Sequence, residues 1–146
     1  MTITIKKFSQ LSSDELYTLL QLRSAVFVVE QQCVYQDIDD KDKKATHILG
    51  FKEDKLVAYT RIFKAGDYFE QASIGRVVVH SEERGKGIGH IIMQASIQAI
   101  NTQFNTEEIK ISAQRYLKGF YQFHGFEQQG SPYLEDGIPH IAMLKQ

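Results

Sequence analysis

The chain is poor in the residues that staple or interrupt a fold. Of its 146 residues, one is cysteine (Cys33) and two are proline. A single thiol cannot close an internal disulfide, which excludes a disulfide-stapled secreted scaffold and points to a reducing, cytoplasmic setting. With two prolines, no glycine- and serine-rich tract and no internal repeat, residues 1–146 read as one domain, long enough to bury most of its unfolded surface. No apolar run approaches the roughly 18–20 residues that a membrane span needs. The opening MTITIKKFSQ lacks the charged and then apolar layout of a signal peptide. Neither sign of charge dominates: 17 basic and 18 acidic residues give a formal net charge of -1. That balance removes the electrostatic case for a nucleic acid or an anionic membrane as partner.

What the chain does have is clear hydrophobic patterning. TITIKKF alternates apolar and polar residues and predicts a first strand. Ser12 stands three residues before Glu15, a capping box that opens a helix. Leu16, Leu19, Leu20, Arg23, Val26 and Phe27 then recur at helical spacing, predicting two short helices that end near Gln32. YQDIDDKDKKA is too polar for a core and reads as a solvated loop. THILGFKE and KLVAYTRIFK predict a hairpin turning at Glu53-Asp54-Lys55, with no glycine to mark the turn. ASIGRVVVH is a strand rich in β-branched residues, and the stretch after it sets Ile88, Ile91, Ile92, Ala95 and Ala99 on one helical face. EIKISAQ predicts a strand, YLKGFYQFHGF a short aromatic helix and GIPHIAMLK a closing strand. The order β-α-α-β-β-β-α-β-α-β-β predicts an α/β domain, a mixed sheet with helices on its faces.

Between that strand and the long helix, RGKGIG (Arg84 to Gly89) carries three glycines in five residues. A helix N-terminus offers unpaired N–H groups and the positive end of the macrodipole. Glycines let a ligand approach the backbone closely, and Arg84 and Lys86 add positive charge. These features describe a phosphate or pyrophosphate cradle. A Walker loop is excluded because GxxxxGK[ST] is absent, and a dinucleotide fingerprint because His90 stands where its third glycine belongs.

RGKGIG also resembles the R/Q-x-x-G-x-G/A motif of the GNAT superfamily of N-acetyltransferases, whose loop binds the pyrophosphate of acetyl-coenzyme A. ISAQRYLKGFYQFHGF resembles the family's second cofactor segment, a strand and then a helix ending in Y-x-x-x-GF. AVFVVEQQCVYQDIDDKD, THILG, IGRVVV and EDGIPHIAM are similar to the ElaA-type subfamily, in register from near residue 16 to the C-terminus. The fold implied is a mixed, largely antiparallel sheet flanked by helices and splayed at the central cofactor-binding strands.

The resemblance implies a division of labour. Val77, Val78 and Val79 would present backbone groups to the pantetheine arm, and the N–H groups of Arg84, Gly85, Lys86, Gly87, Ile88 and Gly89 would face the pyrophosphate. A backbone N–H at a bulge in the preceding strand would polarise the thioester carbonyl; by position this falls to Val79. Tyr121 matches the tyrosine that protonates the departing thiolate, a transfer that a phenol near pKa ~10 can make to a thiolate whose acid is near ~8.5. Gln114 stands where the family often has an asparagine that meets the cofactor; it carries the same amide one methylene farther out. The reaction implied is acetyl transfer from acetyl-CoA to an amine, without a metal, the acceptor being a small molecule or a peptide. An ammonium group must first lose a proton, for which Glu30, Asp37, His47 and His140 are the candidate bases. The run Asp37, Asp39, Asp40 and Asp42 could draw in a cationic amine or simply face solvent. Left open are a coenzyme A-binding sensor with little turnover, an acyltransferase for longer chains, and a homodimer.

Other chemistries fail on spacing. Asp37, Asp39 and Asp40 begin like a calcium loop, but Lys41 takes a ligand position, Asp42 replaces the glycine and Ile48 the closing glutamate. The five histidines include no pair at metal-ligand spacing such as HExxH. Nothing beside Cys33 would activate a thiol nucleophile. The basic and aromatic mixture in RYLKGFYQFHGF follows helical spacing, which suits core packing better than single-strand nucleic-acid binding.

Overall fold

A computed structural model describes all residues from 1 to 146. Strands β1 (Thr2–Lys7), β2 (Thr46–Lys52), β3 (Lys55–Phe63) and β4 (Ser73–Val79) form an antiparallel sheet in the order β1-β2-β3-β4. Strands β5 (Ile109–Gln114), β6 (Glu127–Glu135) and β7 (Ile138–Lys145) form a second antiparallel sheet, in the order β5-β7-β6. Three helices complete the fold: α1 (Ser13–Arg23), α2 (Ile88–Gln103) and α3 (Lys118–Phe123). The sheets touch where β4 and β5 begin. There Ala72 and Ile109 make a single parallel bridge, and the Lys110 N–H donates to the Ala72 carbonyl at 2.8 Å. Past that bridge the two strands belong to separate sheets, which opens a slot between them. No helix is long and apolar enough to cross a membrane.

Alternation along β2 and β3 divides the core into two layers. Ile48, Val57 and Ile62 pack with Ile92, Met93 and Ile100 of α2 on one face. Leu49, Leu56 and Tyr59 pack with Leu19 and Leu22 of α1 on the other. β3 is buried along nearly its whole length because both faces are covered. Ser12 caps α1 through the capping box with Glu15.

Two sequence expectations are corrected, and a third, the β2–β3 hairpin, is borne out with its turn explained. The predicted pair of short helices is one continuous rod: α1 passes directly into a π-helical segment, Ser24–Glu30, closed by bonds such as Gln31 N–H to Val26 O at 3.1 Å. The β2–β3 turn is tight without glycine, because Glu53 (φ 51°) and Asp54 (φ 65°) both adopt the left-handed conformation that a two-residue hairpin loop needs. Most consequentially, the acidic run is not a solvated loop. Asp37 and Asp42 are buried. Arg23 reaches Asp37 at 2.9 Å and Asp42 at 2.7 Å, and Arg61 reaches Asp39 at 2.7 Å and Asp42 at 2.9 Å. Only Asp40 of the four points fully outward, its side chain 94% exposed. The residues are polar, but their partners lie on α1, β3 and β4, out of reach of any local pattern.

Candidate functional site

The slot between β4 and β5 is the floor of a groove of about 430 Å³. β4 lines it from Ile74 to Val79, and the π-helical segment overhangs it with Val26, Phe27 and Glu30. The reason β4 turns its backbone into the groove is a bulge. Tyr59 pairs with Val78 and Arg61 with Gly75, so Thr60 alone faces Arg76 and Val77. Arg76 adopts φ 50°, a left-handed conformation that glycine usually supplies at such a position. Ion pairs hold it there, with Asp37 at 2.8 Å and Asp39 at 3.4 Å. The expectation for Val79 is corrected by this finding: the bulge lies at Arg76–Val77, and Val79 sits beyond it, in register with Ala58.

At one end of the groove stands the glycine loop. Gly85 (φ 80°) and Gly87 (φ 78°) take left-handed conformations, and Gly87 is the N-cap of α2. The first helical bond runs from Ile91 N–H to Gly87 O, and no side chain caps the helix. The consecutive N–H groups from Gly85 to His90 therefore donate to no group of the protein. Gly89 packs tightly: a Cβ there would lie 3.3 Å from the Phe120 ring, which would have to shift to admit it. The cations of the loop are already paired. Arg84 binds Glu30 at 2.9 Å and the Val79 carbonyl at 3.2 Å, and Lys86 binds Glu83 at 3.0 Å. The backbone, rather than free side-chain charge, makes this end anion-seeking.

Tyr121 of α3 reaches the groove from below and is 6% exposed. Its hydroxyl bonds no group of the protein and borders the groove. Burial, with Tyr116 adding to it, pushes the phenol well above its ordinary value, so it stays protonated throughout the neutral range. Gln114, at the end of β5, exchanges amide hydrogen bonds of 3.3 Å with Gln31 across the groove.

The four candidate bases separate clearly. Glu30 is tied to Arg84, whose hydrogen bonds hold its carboxyl below the usual range. Asp37 is committed to Arg23 and Arg76. His47 is buried and does not line the groove: Nδ1 meets the Tyr59 hydroxyl at 2.6 Å and Nε2 the Asp42 carbonyl at 2.9 Å. Only His140 lines the groove without a cationic partner; its Nε2 lies 3.4 Å from Glu135.

The family profile described as Acetyltransferase (GNAT) domain matches residues 10–146. Protein ElaA of Escherichia coli (strain K12) is 46% identical to this chain over 140 residues, covering 94% of this chain and 92% of that protein. The protein is a member of the GNAT acetyltransferase family. The crystal structure of Escherichia coli ElaA has a TM-score of 0.93 at 44% identity, covering 99% of both chains. That of an acyl-CoA N-acyltransferase from Pseudomonas aeruginosa has a TM-score of 0.94 at 38% identity, covering 100% of both. The splayed sheet is thus the GNAT fold.

Several groove residues of this GNAT protein were not singled out from the sequence: Arg76, Ser112, Glu135, Tyr35 and Gln31. Arg76 carries no signal, because a bulge leaves no mark in a run of β-branched residues. Glu135 had one. Asp136-Gly137 is a hairpin dipeptide, and a two-residue turn there pairs Glu135 with Ile138 and Tyr133 with His140.

Proposed function

We propose that the protein is an N-acetyltransferase that moves the acetyl group of acetyl-CoA to an amine. The observation that carries this reading is the run of six unpartnered N–H groups from Gly85 to His90, opening onto a slot whose floor holds the free hydroxyl of Tyr121. The residues fit the cofactor: glycine is needed in the loop, and a diphosphate suits a row of backbone donors at a helix N-terminus. Similarity to an acyl-CoA N-acyltransferase along the entire chain supports the same donor.

Acetyl-CoA supplies an activated acyl group; the chain supplies position and protons. The loop backbone and α2 hold the pyrophosphate, with Arg84 and Lys86 at its margin. The backbone of Val77, within the bulge, and of Val78, directly after it, takes over the thioester contact first assigned to Val79, and β4 as a whole lies along the pantetheine arm. Gln114 keeps an amide at the slot, although Gln31 competes for it. Tyr121 gives its proton to the departing sulfur, whose basicity is raised by the same dry surroundings.

Calorimetric titration with acetyl-CoA, against adenosine diphosphate, NAD and longer acyl-CoAs, tests the donor site. Selective binding of acetyl-CoA supports the reading, and no binding by the folded protein overturns it. Tyr121→Phe tests turnover: kcat should fall about 100-fold, with acetyl-CoA affinity kept. A variant with unchanged kcat would remove the tyrosine from the chemistry.

A further inference from the structure

The groove wall away from the glycine loop carries a connected set of polar side chains. Ser112 pairs with Ala142, Gln114 with His140, and Tyr133 with His140 from the other side. Directly opposed residues share a face and alternate residues return to it. Ser112, Gln114, His140, Tyr133 and Glu135 therefore stand on one face of the second sheet, while Ile111, Ala113, Ile141 and Met143 enter the core from the other. The polar groups form a chain. The Tyr133 and Ser112 hydroxyls are 2.5 Å apart, and Ser112 donates to Glu135 Oε1 at 3.0 Å, so the tyrosine is the donor to the serine. Glu135 Oε2 lies 3.4 Å from His140 Nε2. His140 Nδ1 lies 2.7 Å from the Ile138 carbonyl, which can only accept, so Nδ1 carries a hydrogen and Nε2 is the nitrogen that gains and loses a proton. The Tyr133 ring stacks on the imidazole.

We propose that Glu135 and His140 form the acceptor site for a primary amine on an alkyl arm, Glu135 receiving it as the ammonium ion and His140 taking its proton; this rests on the acetyltransferase reading above. The charge at this end of the groove selects the class. Glu135 is 42% exposed at the side chain and faces no arginine or lysine. Asp136, the next residue in the chain, also lines the groove. Arg76, a cation of the groove lining, is paired with Asp37 and Asp39. An ammonium ion is attracted there, and a carboxylate beside the amine, as in an α-amino acid, is repelled. The groups that face His140 are Glu135 and Tyr133 of β6 and the uncharged Gln114 of β5, with Asp136 also lining the groove.

The step balances. The ammonium gives one proton to His140 Nε2, which later passes to solvent past the exposed Glu135. The freed nitrogen lone pair forms the new C–N bond, and the thioester C–S bond breaks with its electron pair on sulfur. Tyr121 gives sulfur a proton and regains one from the nitrogen, so acetamide, coenzyme A thiol and one released proton are the products. Ser112 and Tyr133 are positioning residues: they hold Glu135 Oε1 so that Oε2 turns toward His140.

The test uses the intact protein with n-butylamine, Nα-acetyl-lysine amide and free alanine as acceptors, following thiol release, with two binding measurements alongside. Butylamine or the lysine amide should be acetylated, the faster of the two naming a free or a peptide-borne acceptor, and alanine should not. Glu135→Gln should raise the amine KM and abolish calorimetric binding of butylamine to the protein saturated with coenzyme A. His140→Gln should lower kcat about 100-fold and remove the acidic limb of the rate profile, while amine binding persists. Ser112→Ala should raise the amine KM more than it lowers kcat. Acetyl-CoA titration of each variant should match wild type, which proves the slot intact. Butylamine binding and a pH profile untouched in both Glu135→Gln and His140→Gln would overturn the proposal. So would alanine as the preferred acceptor, or turnover of neither amine by a protein that binds acetyl-CoA. Failure of wild type to bind acetyl-CoA would instead bring down the acetyltransferase reading beneath it.

Discussion

Arg84 of the glycine loop reaches across the groove to Glu30 at the end of the π-helical segment, Nη2 to Oε1 at 2.9 Å. The loop's arginine is thus neutralised before any anion arrives, and the glutamate serves as a clamp on the loop. Both side chains are 42% exposed, so the pair is screened by solvent. Arg84→Ala should weaken acetyl-CoA binding by no more than about fivefold, and the effect should shrink as salt is added. A loss of 100-fold or more on this substitution would make side-chain charge, rather than backbone N–H groups, the main pyrophosphate contact.

Gly87 should respond differently from Gly89. Gly87→Asp puts an acid beside the anion site at a left-handed position, a strain of about 1 kcal/mol. It should cost at least tenfold in acetyl-CoA affinity, a change of about 1.4 kcal/mol, with only a small drop in melting temperature. Gly89→Ala drives a methyl group toward Phe120 and should cost about 1–3 kcal/mol of stability as α2 and α3 part. Thermal melts and titrations of both variants separate the two roles; equal melts would contradict the assignment.

Two aspartates two residues apart in the acidic run should have opposite weight. Asp42→Ala leaves the guanidinium groups of Arg23 and Arg61 facing each other in the interior, at a cost of about 3–5 kcal/mol. Asp40→Ala, at an exposed position, should stay within about 0.5 kcal/mol of wild type. Denaturant titration decides this, and a mild Asp42→Ala would mean that the cluster is wet and soft.

Stability should fall as pH drops below about 6.5, the ordinary histidine value. Burial lowers the pKa of His47, and His124 is lowered by burial and then by His90 and Lys145. His90 Nδ1 and His124 Nε2 are 2.9 Å apart, so one proton is shared between the two nitrogens and a second is resisted. In both lowered histidines the unfolded state binds the proton more readily. Their contribution is therefore complete above the unfolded value and is lost as pH falls toward the folded one. Urea midpoints measured at pH 7.5 and pH 5.5 should show the lower value in acid. An unchanged or higher midpoint would contradict the buried, neutral assignment.

The elements that the sequence made readable are those governed by neighbours in the chain. Alternation marked β1, the hairpin pattern β2 and β3, and β-branched residues β4; the Ser12–Glu15 box marked the start of α1, and the glycines the junction before α2. Tyr121 was singled out because its flanking residues match a family pattern, whereas its aromatic spacing alone favours a core residue. What stayed hidden depends on distant partners. The burial of Asp42 is decided by arginines 19 positions away on either side, and the bulge at Arg76 by the length of β3 opposite. The Glu135–His140 relationship lies between these cases: the Asp136-Gly137 turn fixes the register that joins them, yet nothing local says that the face they share borders a cleft.

The single bridge at Ala72 and Ile109 leaves β4 and β5 as two interior sheet edges, each with a row of peptide groups turned toward the other and no strand between. Whatever extended molecule enters the slot joins seven strands into one continuous fabric. Occupancy and folding are therefore one equilibrium: the melting temperature should climb with the logarithm of occupant concentration, and amide exchange along both edges should slow in step. The same open seam makes the empty protein the form most vulnerable to an unrelated strand slipping in.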